Sequence, residues 1–217
     1  MLTLYLQGID AAIFDMDGTM VENDNYHKLA WIEFGKRNGL KLSEKDYNEK
    51  IKGRKNNDIL PMLFNRDLSE AEIKQYAENK ETIYREIYKK DIKEVNGLKD
   101  FISLLKSAGL KLALATTSYK PNRDFVLKAI GLSDVFDMIL GDEDTTKGKP
   151  DPEIYIKTAE KLKIDPSKCI VFEDTNAGVE AAKKAGMKVI ALLTSHTKEE
   201  LENANHWIKD FTDLQVK

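Results

Sequence analysis

The 217-residue chain carries 34 Lys and Arg against 37 Asp and Glu, a net charge of -3, and is 41% hydrophobic and 33% charged. That length and balance fit one large domain, or one domain with an insertion, able to bury a sizeable core. No basic block of the kind that binds nucleic acid is present, no apolar run reaches a membrane span, and the start lacks the pattern of a secretory signal. Neither a nucleic acid nor a membrane is therefore expected as a partner, and the cytoplasm is the default compartment.

The first informative element is the apolar run from Ile9 to Asp15, which reads as a buried strand. It ends in AAIFDMDGTM, with Asp15 and Asp17 two residues apart. Strand alternation sends both acids to one side, and like charges held that close need a cation or a shared proton. From about Asp24 to Val95 the pattern becomes helical in period and highly charged. Ser43 followed by Asp46, and Ser69 followed by Glu72, are capping-box starts, while Gly39 and Asn65 stand where helices stop. Residues 23–95 thus form a helical insertion, leaving 1–22 and 96–217 for the core.

From Asn96-Gly97 onward helices and strands alternate. A helix from Leu98 to Ala108 precedes the strand LKLALATTS. Asn122 to Ile130 precedes DMILG, Pro152 to Leu162 precedes CIVFED, Gly178 to Ala185 precedes KVIALL, and a last short strand lies at HWI. Such alternation predicts an α/β fold, a doubly wound, Rossmann-like parallel-sheet core with an α-helical insertion after its first strand. Cys169, the one cysteine, excludes an internal disulfide and reads as a buried strand residue. No heptad seam or conspicuous apolar face calls for a partner copy, so a monomer is the simplest expectation.

Ligands of these sheets bind beyond the carboxyl ends of the strands. There the sequence sets Asp15 and Asp17, Thr116 to Ser118, Lys149 before Pro150, and Glu173 and Asp174. Several carboxylates, hydroxyls and one ammonium suit a hard dication and a phosphate, and Mg2+ between Asp15, Asp17 and Asp174 would answer the charge problem. The Gly-Lys of TTKGKPD is not a nucleotide loop, since Glu143 stands at its first Gly position and Pro150 at its Ser or Thr.

DMDGT after a strand, a Thr ending a later strand, Lys-Pro, and EDTNAG, in that order, resemble the four motifs of the haloacid dehalogenase superfamily of phosphotransferases. The insertion resembles the helical cap of its β-phosphoglucomutase-like branch. The resemblance implies Asp15 as nucleophile, forming an aspartyl-phosphate, and Asp17 as general acid and base whose backbone carbonyl reaches the metal. It implies phosphoryl contacts from Thr116, Thr117 and loop amides at Gly18, and charge neutralisation by Lys149. Asp174 would join Asp15 and Asp17 on Mg2+, with Glu173 either joining them or orienting a ligand from behind.

In the insertion, His27 shares a helical face with Trp31 and corresponds to a His that couples cap closure to the acid-base Asp in the family's mutases. Arg54 or Lys55, in a loop whose Gly53 matches the family's cap loop, and Lys80 are candidate substrate contacts. Two positions depart from the mutase pattern: Asn56 replaces an Arg that holds the second phosphate, a loss Arg54 could compensate, and Glu22-Asn23 replaces Asp with Ser or Thr. The expected activity is a Mg2+-dependent phosphatase acting on a small phosphorylated metabolite, a sugar or polyol phosphate. β-Phosphoglucomutase is the alternative, and a metabolite-binding module on the same scaffold is the non-enzymatic reading.

Overall fold

The computed structural model describes residues 2–52, 54 and 56–217, so Gly53 and Lys55 of the expected cap loop lie outside the described residues. In chain order the elements are β1 (Leu2–Leu4), β2 (Ala11–Phe14), α1 (Asp24–Arg37), α2 (Glu44–Asp46), α3 (Asn56–Phe64), α4 (Glu70–Tyr88), α5 (Leu98–Ser107), β3 (Lys111–Ala115) and α6 (Lys120–Ala129). Then come β4 (Met138–Leu140), α7 (Glu153–Leu162), β5 (Cys169–Glu173), α8 (Asn176–Lys184), β6 (Lys188–Leu192), β7 (His206–Ile208) and β8 (Leu214–Val216). Two compact units result, Met1–Glu22 with Ile92–Lys217, and Asn23–Asp91. The return to the first unit comes at Ile92, ahead of the Asn96 read from the sequence. Val95 N–H donates to Met20 O at 2.8 Å and Glu94 bridges to Val21, which ties this stretch to the loop after β2.

The first unit is α/β and doubly wound. Among the described residues its main sheet is six-stranded and parallel, in the order β4-β3-β2-β5-β6-β7. A small parallel pair, β1 with β8, joins the two ends of the chain, a contact that periodicity does not announce. Alternation along β2 feeds two cores. Ala11 and Ile13 belong to a cluster with Ala113, Val171, Tyr155 and Val179, where small residues let α7 and α8 approach the sheet. On the opposite side Phe14 stacks on Phe172 at 4.8 Å and meets Phe101 and Phe211. Truncating such a fully buried ring costs about 3–5 kcal/mol. Register then positions chemistry: Phe14 lies opposite both Leu114 and Phe172, so β2, β3 and β5 end at one level.

The second unit is helical. Both expected capping boxes form: the Ser43 hydroxyl accepts from Asp46 N–H at 3.1 Å, and Ser69 from Glu72 N–H at 3.3 Å. Gly39 and Asn65, both at positive φ, follow α1 and α3. The segment after Ser43 departs from a plain helix. α2 has three residues and passes into a π turn, Tyr47–Ile51, closed by Lys52 N–H donating to Tyr47 O at 2.8 Å. Phe34, Phe64 and Tyr76 join α1, α3 and α4, with Phe64 and Tyr76 stacked at 4.4 Å. No helix among the described residues is long and apolar enough to cross a membrane.

Candidate active site

Asp15 leaves β2 with its N–H on Phe172 O at 3.0 Å, which fixes its backbone against β5. Its carboxylate meets Lys149, whose Nζ donates at 2.6 Å to Asp15 Oδ1, at 2.6 Å to Glu173 Oε1, and at 3.3 Å to Ala115 O. All three side chains are nearly inaccessible. Tyr155, from the buried face of α7, donates its hydroxyl to the same Glu173 Oε1 at 3.0 Å, and the ammonium lies 5.1 Å from its ring centre. The other Glu173 oxygen accepts from the amides of Asp174 and Thr175 and the Thr175 hydroxyl. Both Glu173 oxygens are thus held by protein donors. A Cβ on Gly178, the glycine of EDTNAG, would collide with this carboxylate.

Asp17 accepts a short hydrogen bond from the Ser118 hydroxyl, and Ser118 N–H donates to Thr116 Oγ1 at 3.1 Å. Thr116 is buried, its own N–H held by Leu140 O, whereas Thr117 is exposed. Asp174 accepts from the Thr19 hydroxyl at 3.2 Å and, through its other oxygen, from Ser195. Gly18 passes directly beside it at φ +82°, a backbone shape open to glycine, and any Cβ there would strike the Asp174 carboxylate. The Gly18 amide, expected to hold phosphate, instead donates to Val21 O at 2.7 Å. That correction follows from the tight turn after DMDG, which consumes its own N–H.

Burial is the dominant force on these groups. It pushes the Asp15 carboxyl up to about 7, against the pull of Lys149 and with help from Glu173 and Asp17. Burial likewise raises Asp174 well above the ordinary carboxylate range, reinforced by the charges of Glu173 and Asp15. On Glu173 burial is overcome by the ammonium of Lys149 and the donors around it, so its carboxyl lies below the ordinary value. Burial works against the Lys149 charge as well, yet Asp15 and Glu173 hold its ammonium well above the ordinary range.

A family model described as haloacid dehalogenase-like hydrolase matches residues 12–192. The chain belongs to this family. The hydrolase is 35% identical over 188 residues to a phosphorylated carbohydrates phosphatase of Thermotoga maritima, covering 84% of each chain. In structure it is similar to a family IA, variant 3 hydrolase of Entamoeba histolytica, with a TM-score of 0.87 and 33% identity over 95% of this chain and 96% of that one. It is also similar to a β-phosphoglucomutase of Clostridium difficile, with a TM-score of 0.81 and 30% identity over 95% and 93% of the two chains. The hydrolase therefore falls in the β-phosphoglucomutase-like branch, and its reaction class, phosphoric monoester hydrolysis, is that of the phosphatase among these relatives.

Among the described residues of the hydrolase, no three His, Cys, Asp or Glu side chains surround a common metal position. Mg2+ does not ask for such a cage, since it takes one or two carboxylates and completes its shell with carbonyl, water and substrate oxygens. The donor set fits that habit. Asp15 and Glu173 share the ammonium of Lys149, while Asp17 and the buried Asp174 are held by the neutral hydroxyls of Ser118, and of Thr19 and Ser195. A hard cation or a proton on the raised carboxyls of Asp15 and Asp174 balances such a cluster, and the oxygen donors present fit the cation.

The expected cap residues all lie in the helical unit of the hydrolase. Lys80 Nζ is 3.0 Å from His27 Nδ1 and 2.9 Å from Glu81 Oε1, and only 3% of the lysine is exposed. An ammonium only donates, so His27 Nδ1 accepts and the ring proton sits on Nε2. His27 stacks on Tyr84 at 4.0 Å, and the Tyr84 hydroxyl accepts from Asn23 at 2.8 Å. Burial, then the Lys80 charge, hold the imidazole well below its ordinary value. Lys80, expected as a substrate contact, has its ammonium engaged inside this unit, while Arg54 is exposed.

Ser118 stands among the strand-end residues read from the sequence, but its bond to Asp17 is not legible there, nor are Tyr155 on Glu173 and Thr19 and Ser195 on Asp174. Ser195 is within reach of the same rule that polar residues ending parallel strands carry function, since β6 is followed by Leu193 and then Thr194-Ser195-His196. Tyr155 has no such signal, because within EIYIKTAEKL it looks like any apolar-face aromatic.

Proposed function

We propose that this hydrolase is a Mg2+-dependent phosphatase that works through an aspartyl-phosphate on Asp15. The observation carrying this reading is the meeting, at one sheet edge, of a nucleophilic carboxylate, a second carboxylate two residues on, and a buried ammonium. The Asp15 carboxylate attacks phosphorus, the bond from phosphorus to the ester oxygen breaks, and Asp17 gives its proton to the departing alkoxide. Asp17 then takes a proton from water, whose oxygen attacks phosphorus, and the bond to Asp15 breaks to release inorganic phosphate. Ser118 orients Asp17 for both transfers. Lys149 and the Thr116 hydroxyl stabilise charge on the transferring group. Mg2+ would be held by the carboxylates of Asp15 and Asp174 and the Asp17 backbone carbonyl, and supplies charge neutralisation to the phosphoryl oxygens. Glu173, engaged through both oxygens, is assigned to holding Lys149 and the start of α8.

The substrate we infer is a phosphorylated carbohydrate, the class in the name of the Thermotoga maritima relative. Exposed Arg54 is assigned to substrate contact and the His27–Lys80–Glu81 group to holding α1 against α4. The test is ³¹P NMR of the protein with Mg2+ and a panel of sugar phosphates, including β-glucose 1-phosphate primed with a trace of the bisphosphate. Free phosphate is expected, and its loss in Asp15→Asn; undiminished turnover in that variant would remove the mechanism. Conversion to glucose 6-phosphate without phosphate release would replace the phosphatase with the mutase.

A further inference from the structure

The mechanism draws on the ends of β2, β3 and β5 and on the Lys149 loop, but the end of β6 also reaches the site. Thr194 donates its hydroxyl to Gly18 O, and Ser195 donates to Asp174 Oδ2. Ser195 Oγ also lies 3.1 Å from Asp174 O. His196 Nδ1 is 2.9 Å from Ser195 Oγ and 2.9 Å from Asp174 O. A carbonyl oxygen only accepts, so the proton of His196 resides on Nδ1 and points at Asp174 O and the Ser195 hydroxyl. The donors thus run in one direction, from imidazole to serine to carboxylate. Thr19 completes the arrangement on Asp174 Oδ1 at 3.2 Å.

We propose that Thr194, Ser195 and His196 form a positioning turn that aims the Asp174 carboxylate at a divalent cation and fixes the Gly18 backbone against that carboxylate. The inference rests on the Mg2+ reading above and names residues outside the four motifs. Its physical logic lies in the kind of donor. A lysine or arginine on Asp174 would cancel the charge a cation needs, whereas hydroxyls fix the direction of both oxygens and leave the negative charge in place. Thr194 acts on the same turn from the other side. Because Gly18 touches Asp174, a shift of the Gly18 peptide would carry the carboxylate with it.

The test is calorimetric titration of MgCl2 into the metal-free full chain, without substrate, for the wild type, Asp174→Asn, Ser195→Ala, Ser195→Thr and His196→Ala. The wild type is expected to bind, and Asp174→Asn to lose binding. Ser195→Ala should weaken it by about 10–100-fold, the usual effect of removing a group that orients a metal ligand. Ser195→Thr, which keeps the hydroxyl, should stay near the wild type, and His196→Ala should weaken binding in the same direction by a smaller factor. Melting curves of the metal-free variants separate positioning from folding, and if Ser195→Ala is too unstable to titrate, His196→Ala decides. A wild type that neither binds Mg2+ nor needs it for phosphate release would overturn the underlying reading. A wild type that binds, with Ser195→Ala and His196→Ala binding equally well, would overturn the positioning turn alone.

Discussion

Replacing Lys149 by methionine keeps an unbranched side chain one atom shorter and removes the ammonium placed between Asp15 and Glu173, each 2.6 Å away. Deleting one partner of a buried ion pair costs about 3–5 kcal/mol, because the charge left behind has lost both water and countercharge. In a chain of this length each kcal/mol moves Tm by about 2–4 °C, so metal-free Lys149→Met should melt about 6–20 °C below the wild type at pH 8. The loss should depend on pH. Asp15, raised to about 7 chiefly by burial, and Asp174, raised in the same direction, contribute stability that is complete below about pH 4 and lost as pH rises through the folded value. Glu173 behaves oppositely. Its depressed carboxyl contributes above its ordinary 4.5 and loses that contribution as pH falls. With methionine at 149, burial raises Asp15 without its main opposing charge and Glu173 keeps only its hydrogen-bond donors, so both carboxyls titrate higher than in the wild type and a proton replaces the missing ammonium as pH falls. Scanning calorimetry in EDTA at pH 5, 6.5 and 8 should therefore show the penalty shrinking to less than half between pH 8 and pH 5. Equal penalties at both ends, or less than about 1 kcal/mol at pH 8 as for an exposed pair, would refute this account of the buried cluster.

Gly18→Ala forces a side chain onto φ +82° and into the Asp174 carboxylate. Calorimetric titration should show Mg2+ affinity falling by about 10–100-fold, and an unchanged affinity would mean that Asp174 does not bind the ion. His27, depressed first by burial and then by Lys80, is neutral at pH 7 and adds stability that is present above its ordinary 6.5 and lost as pH falls. In Lys80→Met its NMR titration should move upward yet stay below 6.5; a full return to that value would show Lys80, not burial, to be the main cause. Cys169 is fully buried and its thiol is pushed up to about 11, so an aromatic disulfide reagent at pH 8 should react with it only after unfolding. Rapid labelling of the native protein would contradict that burial.

The parts of this molecule that could be read before folding are those whose cause is local. Ser43 with Asp46 and Ser69 with Glu72 cap their helices because donor and acceptor lie within one turn. The β2 run AAIF is buried because its residue types allow little else, and Asp15 and Asp17 diverge from that pattern strongly enough to mark a site. The π turn at Tyr47–Ile51 was hidden, since SEKDYNEKIKG keeps a helical period and one extra residue per turn changes no residue type. Tyr155 was hidden as well, its ring serving the core while its hydroxyl serves Glu173.

By itself the sequence determined the alternation of strands and helices in the main sheet, the helical insertion after the strand that ends at Asp15, and the polar groups that end β2, β3 and β5, though not the β1–β8 pair or the end of β6. Each follows from periodicity over a few residues or from charges that no core accepts without a partner. Only the tertiary structure decided how those groups divide among one another. Lys149 goes to Asp15 and Glu173, Ser118 to Asp17, and Thr19 and Ser195 to Asp174, while the Gly18 amide turns back to Val21. The physical reason is register. Parallel strands far apart in the chain end at one level, and which side chains then meet depends on angles and distances that no single stretch of sequence contains.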